Sequence, residues 1–272
     1  MKHITSPLLS AIPGVVHGFF TRQGGVSKHE FATLNGGLAS GDDAILVQEN
    51  RRIALNALGI GSYRFVNCFQ IHSAKVWTVE EAVSGPDPRA DAMVTNRPSL
   101  ALTIFAADCV PVLIASKSGR SVAAAHIGWR GCLSGIVANV LGALRQLSGK
   151  QDLVAAIGPS IRQMSYQVSQ DVFDAFRQAD PLNERFFLPD PNAPLKWLFD
   201  LSGVIEGQLC REAVEVWVDS HDTCSEPDLF FSARRSAKDK STVYGRMMSI
   251  IALHDCESLA QAGSPTGSKA SP

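Results

Sequence analysis

Three residues could meet at one metal ion: His72 in "QIHSAKV" (70–76), Cys109 in "AADCVPVL" (106–113) and His126 in "AAHIGWRGC" (124–132). Two imidazoles and a thiolate make a good zinc shell, and three protein ligands leave a fourth tetrahedral position open to water or substrate. Each stands at or near the end of a strand-like run, with Ser73, Pro111 and Gly128 close behind. Loops at strand ends are where a scaffold can aim side chains at one point. Taken singly, each residue has a plainer reading, as a satisfied histidine or an inert buried thiol. Asp108 also interrupts the apolar run. A carboxylate there must be paired or hydrogen-bonded. It either orients a ligand from behind the metal or fixes a backbone turn.

A second set of residues could hold an anion or a polar substrate. Arg130 lies in "GWRG" (128–131), where two glycines allow a tight path and a following helix offers free N–H groups. Arg22 in "TRQGGVS" (21–27) poses the same choice between an anion contact and an ordinary turn. "NGGLASGDD" (35–43) is a glycine-rich loop that could line a pocket with Asn35, and Gln70 stands two residues before His72. His17, His29, His221 and His254 show no partner pattern. Arg234 and Arg235, in a possible strand "EPDLFFSARR" (226–235), read as a solvated face.

The elements that must position these residues alternate along the chain. Strands are expected at 14–22, 64–80, 121–127, 152–161, 214–220 and near 241–253. The stretch 100–116 reads as strand, break, strand, with Pro111 ending the first. Helices are expected at 44–59 (capped by Asp42 or Asp43 and stopped by Gly59), at 131–149 (closed by Gly149), at 170–179 and at 198–213. No linker-like stretch divides the body. The expectation is one α+β domain over 1–260 with mixed sheets flanked by helices, and a disordered polar tail over 261–272.

Composition narrows the class. The chain has 272 residues, enough for a sizeable core. A net charge of -1 gives no basic field for nucleic acid or an anionic membrane. The most apolar stretch, 100–115, is too short to span a bilayer and contains Asp108 and Pro111. No secretion signal is evident and the six cysteines are scattered without a CxxC pair, so a cytoplasmic protein with reduced thiols is expected, a monomer by default.

The pieces "HGFFTRQGGVS", "LNGGLASGDDAILVQENRR", "QIHSAKV", "ADAMVT", "AADCVPVL", "AAHIGWRG", "AAIGPSI" and "PDLFFSARR…GR" run in order from about residue 14 to 248. As a set they resemble the laccase-domain family, also called multicopper polyphenol oxidase-like proteins and purine nucleoside phosphorylases with adenosine deaminase activity. The resemblance implies a zinc site, falling here on His72, Cys109 and His126, which would then be catalytic as well. It implies an α+β fold of the type shared with a toxin catalytic domain that uses a Cys–His pair. The implied reactions are phosphorolysis of purine nucleosides (adenosine, inosine, guanosine and methylthioadenosine are candidates) and deamination of adenosine, with phosphate contacted by Arg22 or Arg130. Three differences stand out: Ser160 where Cys is common, Cys132 where Ala is common, and Ser73 where Gly is common. Copper-dependent oxidation of phenols is an older reading, and a multicopper cluster needs more histidines than the seven scattered here. A metal-free hydrolase, with Cys109 as nucleophile and His126 as base, is a third.

Overall fold

The computed structural model describes residues 3–81, 85–149 and 152–254. Two sheets form its centre. The first is five-stranded, in the order β1 (His3–Ile4), β2 (Val15–Phe20), β14 (Met247–Leu253), β6 (Leu100–Ala106), β3 (Arg64–Val66), antiparallel except for the β6–β3 pair. The second is six-stranded: β13 (Glu215–Val218), β9 (Leu153–Ile157), β7 (Val110–Ser116), β8 (Val122–Ile127), β5 (Ala92–Thr95), β4 (Val76–Thr78). Its two edge pairs are parallel and its centre is antiparallel. A small antiparallel sheet joins β10 (Gln167–Ser169), β12 (Lys196–Phe199) and β11 (Phe187–Pro189).

Side-chain alternation explains how these sheets stack. Successive residues of a strand point to opposite faces. In β6, Leu102 and Ile104 face the second sheet, where they meet Leu113, Ala124 and Val154. Ala101 and Phe105 face the other way, onto helix α2 (Ala44–Ala57). In β7, Leu113 and Ala115 face the inter-sheet layer, while Val112 and Ile114 pack under helices α4 (Ile136–Ser148), α5 (Gln170–Ala179) and α6 (Leu201–Arg211). The molecule is therefore a helix–sheet–sheet–helix sandwich, a mixed α+β architecture as expected. Both central strands are buried on both faces, which is why 100–116 reads as an unbroken apolar run.

Helix ends follow local chemistry. The Asp43 side chain accepts the Ile45 N–H at the start of α2, and Gly59 beyond its end takes a positive φ of 73°. The single helix expected over 131–149 is two: α3 (Trp129–Leu133), capped by Gly128, and α4, separated at Gly135, whose φ of 84° no continuous helix permits. Short helices α1 (Pro7–Ser10) and α7 (Ala233–Lys238) complete the set. The strand considered for 226–235 is instead turn and irregular chain over 226–232, followed by the start of α7.

Two further expectations change. The stretch 64–80 is not one strand: β3 belongs to the first sheet and β4 to the second, with a crossover between them. Pro111 does not end a strand but stands second in β7, opposite His126, and the break precedes it at 107–109. A proline at a strand's start removes little from the ladder. The tail expected over 261–272 lies outside the described residues.

Candidate metal centre

Two crossovers between the sheets carry two of the three donors. The chain leaves β6 in the first sheet and enters β7 in the second through Ala107, Asp108 and Cys109. It likewise passes from β3 to β4 through the segment holding His72. Both passages turn sharply: Asp108 has φ 91° and His72 has φ 57°, values that L residues seldom adopt. The third donor, His126, is on β8. Val122 and Ala124 face the inter-sheet layer, so His126, two residues further, points into the end of the same layer.

The donor atoms of His72, Cys109 and His126 all lie within 4.8 Å of one another. Cys109 Sγ is 3.8 Å from His72 Nε2, and the two imidazoles meet edge to face, 4.9 Å between ring centres. A tetrahedral zinc at ordinary bond lengths would set sulfur and nitrogen roughly 3.5 Å apart. Cys109 and His72 stand within tenths of an ångström of that spacing, and with every donor inside 4.8 Å of the others the set fits such an ion once the donors draw in around it. His72 is exposed, Cys109 half-buried and His126 buried, so the cluster opens on the His72 side. Gly128 closes the other side. A Cβ there would stand 2.9 Å from His72 Cδ2 and 3.3 Å from Cys109 Sγ.

Asp91, just before β5, organises the cluster and was not singled out from the sequence. Its fully buried carboxylate accepts the N–H groups of Ile71, His72 and Ser73 and the Ser73 hydroxyl, at 2.6–3.1 Å. It also accepts from His126 Nδ1 at 3.1 Å. One carboxylate thus fixes the His72 turn and holds the His126 Nδ1 proton, which turns Nε2 of His126 toward Cys109, where a metal would take the place of its proton. Burial opposes its charge, but these hydrogen bonds win and hold the carboxyl at about 2.

Asp108 has a different job from a ligand-orienting one. Its carboxylate accepts Thr223 Oγ1 at 2.7 Å, Ser232 Oγ at 2.9 Å and the Arg234 N–H at 2.6 Å. It pins the Cys109 crossover to the segment leading into α7. Burial pushes its carboxyl up against those bonds.

The electrostatics favour a reactive sulfur. Burial pushes the Cys109 thiol up, but His126 and His72 outweigh it and bring it down to about 6. Burial likewise lowers His126, while Cys109 and Asp91 lift it to about 9. A thiolate is both the metal-binding and the nucleophilic form of cysteine. By contrast, burial pushes Cys68 and Cys132 up to about 12, as expected of inert core thiols. Tyr166 lies close enough to feel the Cys109 charge. Burial, and then that charge, push its hydroxyl well above the ordinary tyrosine range, so it keeps its proton.

The other sequence candidates are used elsewhere. Arg22 Nε donates to Ala32 O at 2.7 Å and NH1 to Pro227 O at 3.0 Å, with the guanidinium 4.4 Å above the Phe231 ring. It staples two loops. Asn35 is fully buried; it bonds Ser40, Asp42, and the N–H groups of Gly37 and Arg246, so it shapes its own loop. Gln70 is locked to the Phe105 backbone, donating to its O at 2.7 Å and accepting its N–H at 2.8 Å. Arg130 alone stays exposed, 4.3 Å over Trp129, on a groove it shares with Tyr166, Lys196 and Arg234. Arg234 and Arg235 are not a solvated face. Arg235 donates to the carbonyls of Thr223, Cys224 and Phe230, and Arg234 NH1 to Gln167 O.

The structure is thus a sandwich in which two sheet crossovers and one strand end bring together two histidines and a cysteine. The family model described as "Multi-copper polyphenol oxidoreductase laccase" matches residues 16–254, and the chain belongs to that family. Among curated relatives, the purine nucleoside phosphorylase of Haemophilus influenzae is 33% identical over 88% of this chain and 95% of its own length. The purine nucleoside phosphorylase YfiH of Escherichia coli is 34% identical over 93% of this chain and 100% of its own. Among solved structures, a Neisseria meningitidis protein superposes with a TM-score of 0.82 at 35% identity, covering 93% of this chain and 99% of that one. YlmD from Geobacillus stearothermophilus gives 0.81 at 31% identity, covering 92% and 94%. No helix among the described residues is long and apolar enough to cross a membrane.

Proposed function

We propose that the protein is a zinc-dependent purine nucleoside phosphorylase that also deaminates adenosine, with His72, Cys109 and His126 as ligands and catalytic centre. The observation that carries the reading is the convergence of two imidazoles and a low-pKa thiol beside an opening to solvent. The names borne by the relatives support the nucleoside as substrate. A zinc ion held there would supply Lewis acidity and a water made nucleophilic near neutral pH. The chain's own residues do the rest. Asp91 holds the Nδ1 proton of His126 and keeps its Nε2 lone pair directed at the centre. Gly128 admits His72 and Cys109 to close approach. Tyr166 keeps its hydroxyl proton beside Cys109, which makes it a neutral hydrogen-bond donor. In phosphorolysis a phosphate oxygen bonds to the anomeric carbon as the bond to the purine breaks, and the base leaves with a proton. In deamination, water adds at C6 and ammonia departs.

The test is incubation of the pure, zinc-loaded protein with adenosine, and with inosine plus phosphate. Release of inosine in the first and hypoxanthine in the second is expected, with about one zinc per chain and loss of both on Cys109→Ala. Absence of either product from zinc-loaded protein would sink the corresponding activity. The paired Cys109 and His126 also favour a metal-free cysteine hydrolase as a second reading. Full activity after complete chelation would establish that reading in place of the first. The described residues contain one His/Cys/Asp/Glu group placed to hold a metal, which speaks against a multicopper cluster. Oxygen uptake with a phenol and copper would be expected to stay at background.

A further inference from the structure

Near the end of β6 lies a second cavity, of about 350 Å³, lined by none of the three donors. Its walls include two arginines from opposite ends of the chain, Arg51 on α2 and Arg246 just before β14. Arg51 is 7% exposed. Its Nε donates to Gly36 O at 3.0 Å, and its guanidinium lies 4.7 and 4.9 Å from the ring centres of Phe65 and Phe105. Its terminal nitrogens have no acceptor among the described residues. Arg246 NH1 is buried and likewise has no hydrogen-bond partner. Buried charged donors without acceptors are costly, and each one in a folded protein calls for a reason. One such donor, on a cavity where the second guanidinium makes its single hydrogen bond through Nε, points to an anion that belongs there.

The walls describe that anion further. Two guanidinium forks present more donors than one carboxylate can fill, whereas a phosphate dianion offers three oxygens and balances both charges. Phe69, 51% exposed, and Phe105 give the cavity apolar walls suited to a ring. The one carboxylate in the lining, Asp87, is exposed at the rim, where it accepts Asn67 Nδ2 at 2.6 Å and its charge partly offsets that of Arg51. It suits a ligand hydroxyl better than an anion. We infer that this cavity binds a phosphomonoester, its oxyanion on Arg51 and Arg246 and its organic body on Phe69 and Phe105. Gln70 fastens the Phe105 wall to the crossover that carries His72, so an occupant would lie against the support of the metal centre. The inference does not depend on the proposed reaction, because equilibrium binding needs no turnover.

Calorimetric titration of full-length Cys109→Ala protein, which removes turnover and leaves the cavity lining intact, tests it with three probes: AMP, ribose 5-phosphate and inorganic phosphate. AMP is expected to bind at least about ten-fold more tightly than inorganic phosphate. Arg246→Gln should weaken all three probes, AMP by about ten-fold or more, since a charge-assisted bond is lost. It should lower the melting temperature little, because NH1 has no hydrogen-bond partner to lose and only the contact with the Tyr244 ring is given up. Phe69→Ala should weaken AMP and leave inorganic phosphate unchanged. No AMP binding at millimolar concentration, or unchanged AMP affinity in Arg246→Gln, overturns the site. Inorganic phosphate binding as tightly as AMP, with no effect of Phe69→Ala, overturns the phosphomonoester and leaves a simple anion site. Failure of the purine reactions with binding intact would strike the proposed function alone.

Discussion

Asp91 and Asp108 are two buried carboxylates near the same sulfur, and their hydrogen bonds assign them opposite duties. Asp91 touches the two histidine ligands, one through its backbone and one through its ring. Asp108 touches neither and instead ties Cys109's turn to residues more than a hundred positions away. Asp91→Asn is therefore expected to weaken zinc binding by about 10- to 100-fold, the range for loss of a carboxylate behind a ligating histidine. Competition against a chromophoric chelator reads this directly. Asp108→Asn should cost folding stability, about 1–3 kcal/mol in urea unfolding, from a disturbed buried network. It should move zinc affinity much less. Equal losses of zinc affinity in the two variants would refute the division. Asp108 was the more conspicuous of the pair in the sequence, because it breaks an apolar run. Asp91 had a quieter signal: an acid at the mouth of the short run "AMVT", whose partner His126 stands 35 residues on.

The elements explain why some of this was legible and some was not. Helix α2, with its cap and its glycine stop, and α4 past Gly135 follow from local chemistry that a sequence displays. So do β6, β7 and β8, which are long and apolar. The three-stranded sheet of β10, β11 and β12 was not foreseen, because strands of three or four residues show too little alternation to be read. The split of 64–80 between two sheets was hidden for a related reason: which sheet a strand joins is a tertiary decision. Yet that split is what aims His72 at Cys109. The tight approach of the β8–α3 connection is the matching constraint from the other side. Gly128 has φ -86°, which any residue adopts, so Gly128→Ala tests space rather than backbone freedom. Its Cβ would press on both His72 and Cys109. The expected result is a loss of zinc affinity and turnover of roughly ten-fold or more, with the melting temperature nearly unchanged because His72 can move into solvent. A variant with wild-type affinity would show that the donors close up from another direction.

At the scale of the whole molecule, the sandwich also buries a histidine far from this chemistry, and the burial has a consequence for acid stability. His17 lies in β2, 5% exposed, with Nε2 accepting the Ser6 N–H at 2.8 Å. That bond needs the neutral ring. Burial, reinforced by the nearby His3, brings His17 down to about 4 from 6.5. The unfolded chain therefore takes up a proton on this side chain near pH 6.5, and the folded one only near pH 4. Between those values the unfolded state binds more protons, so stability rises with pH across the window and falls as the solution is acidified. The full contribution is present above pH 6.5. At pH 4.5 about 2–3 kcal/mol of it should be gone, by the proton linkage relation. Urea melts of the wild type and His17→Gln at pH 7 and pH 4.5 measure this. Glutamine can offer an oxygen to Ser6 without titrating, so the variant should lose less stability on acidification. The difference between the two slopes isolates His17 from the carboxylates that also take up protons. Parallel acid losses in the two proteins would mean that the ring is protonated and paired in the fold, contrary to the direction of its hydrogen bond.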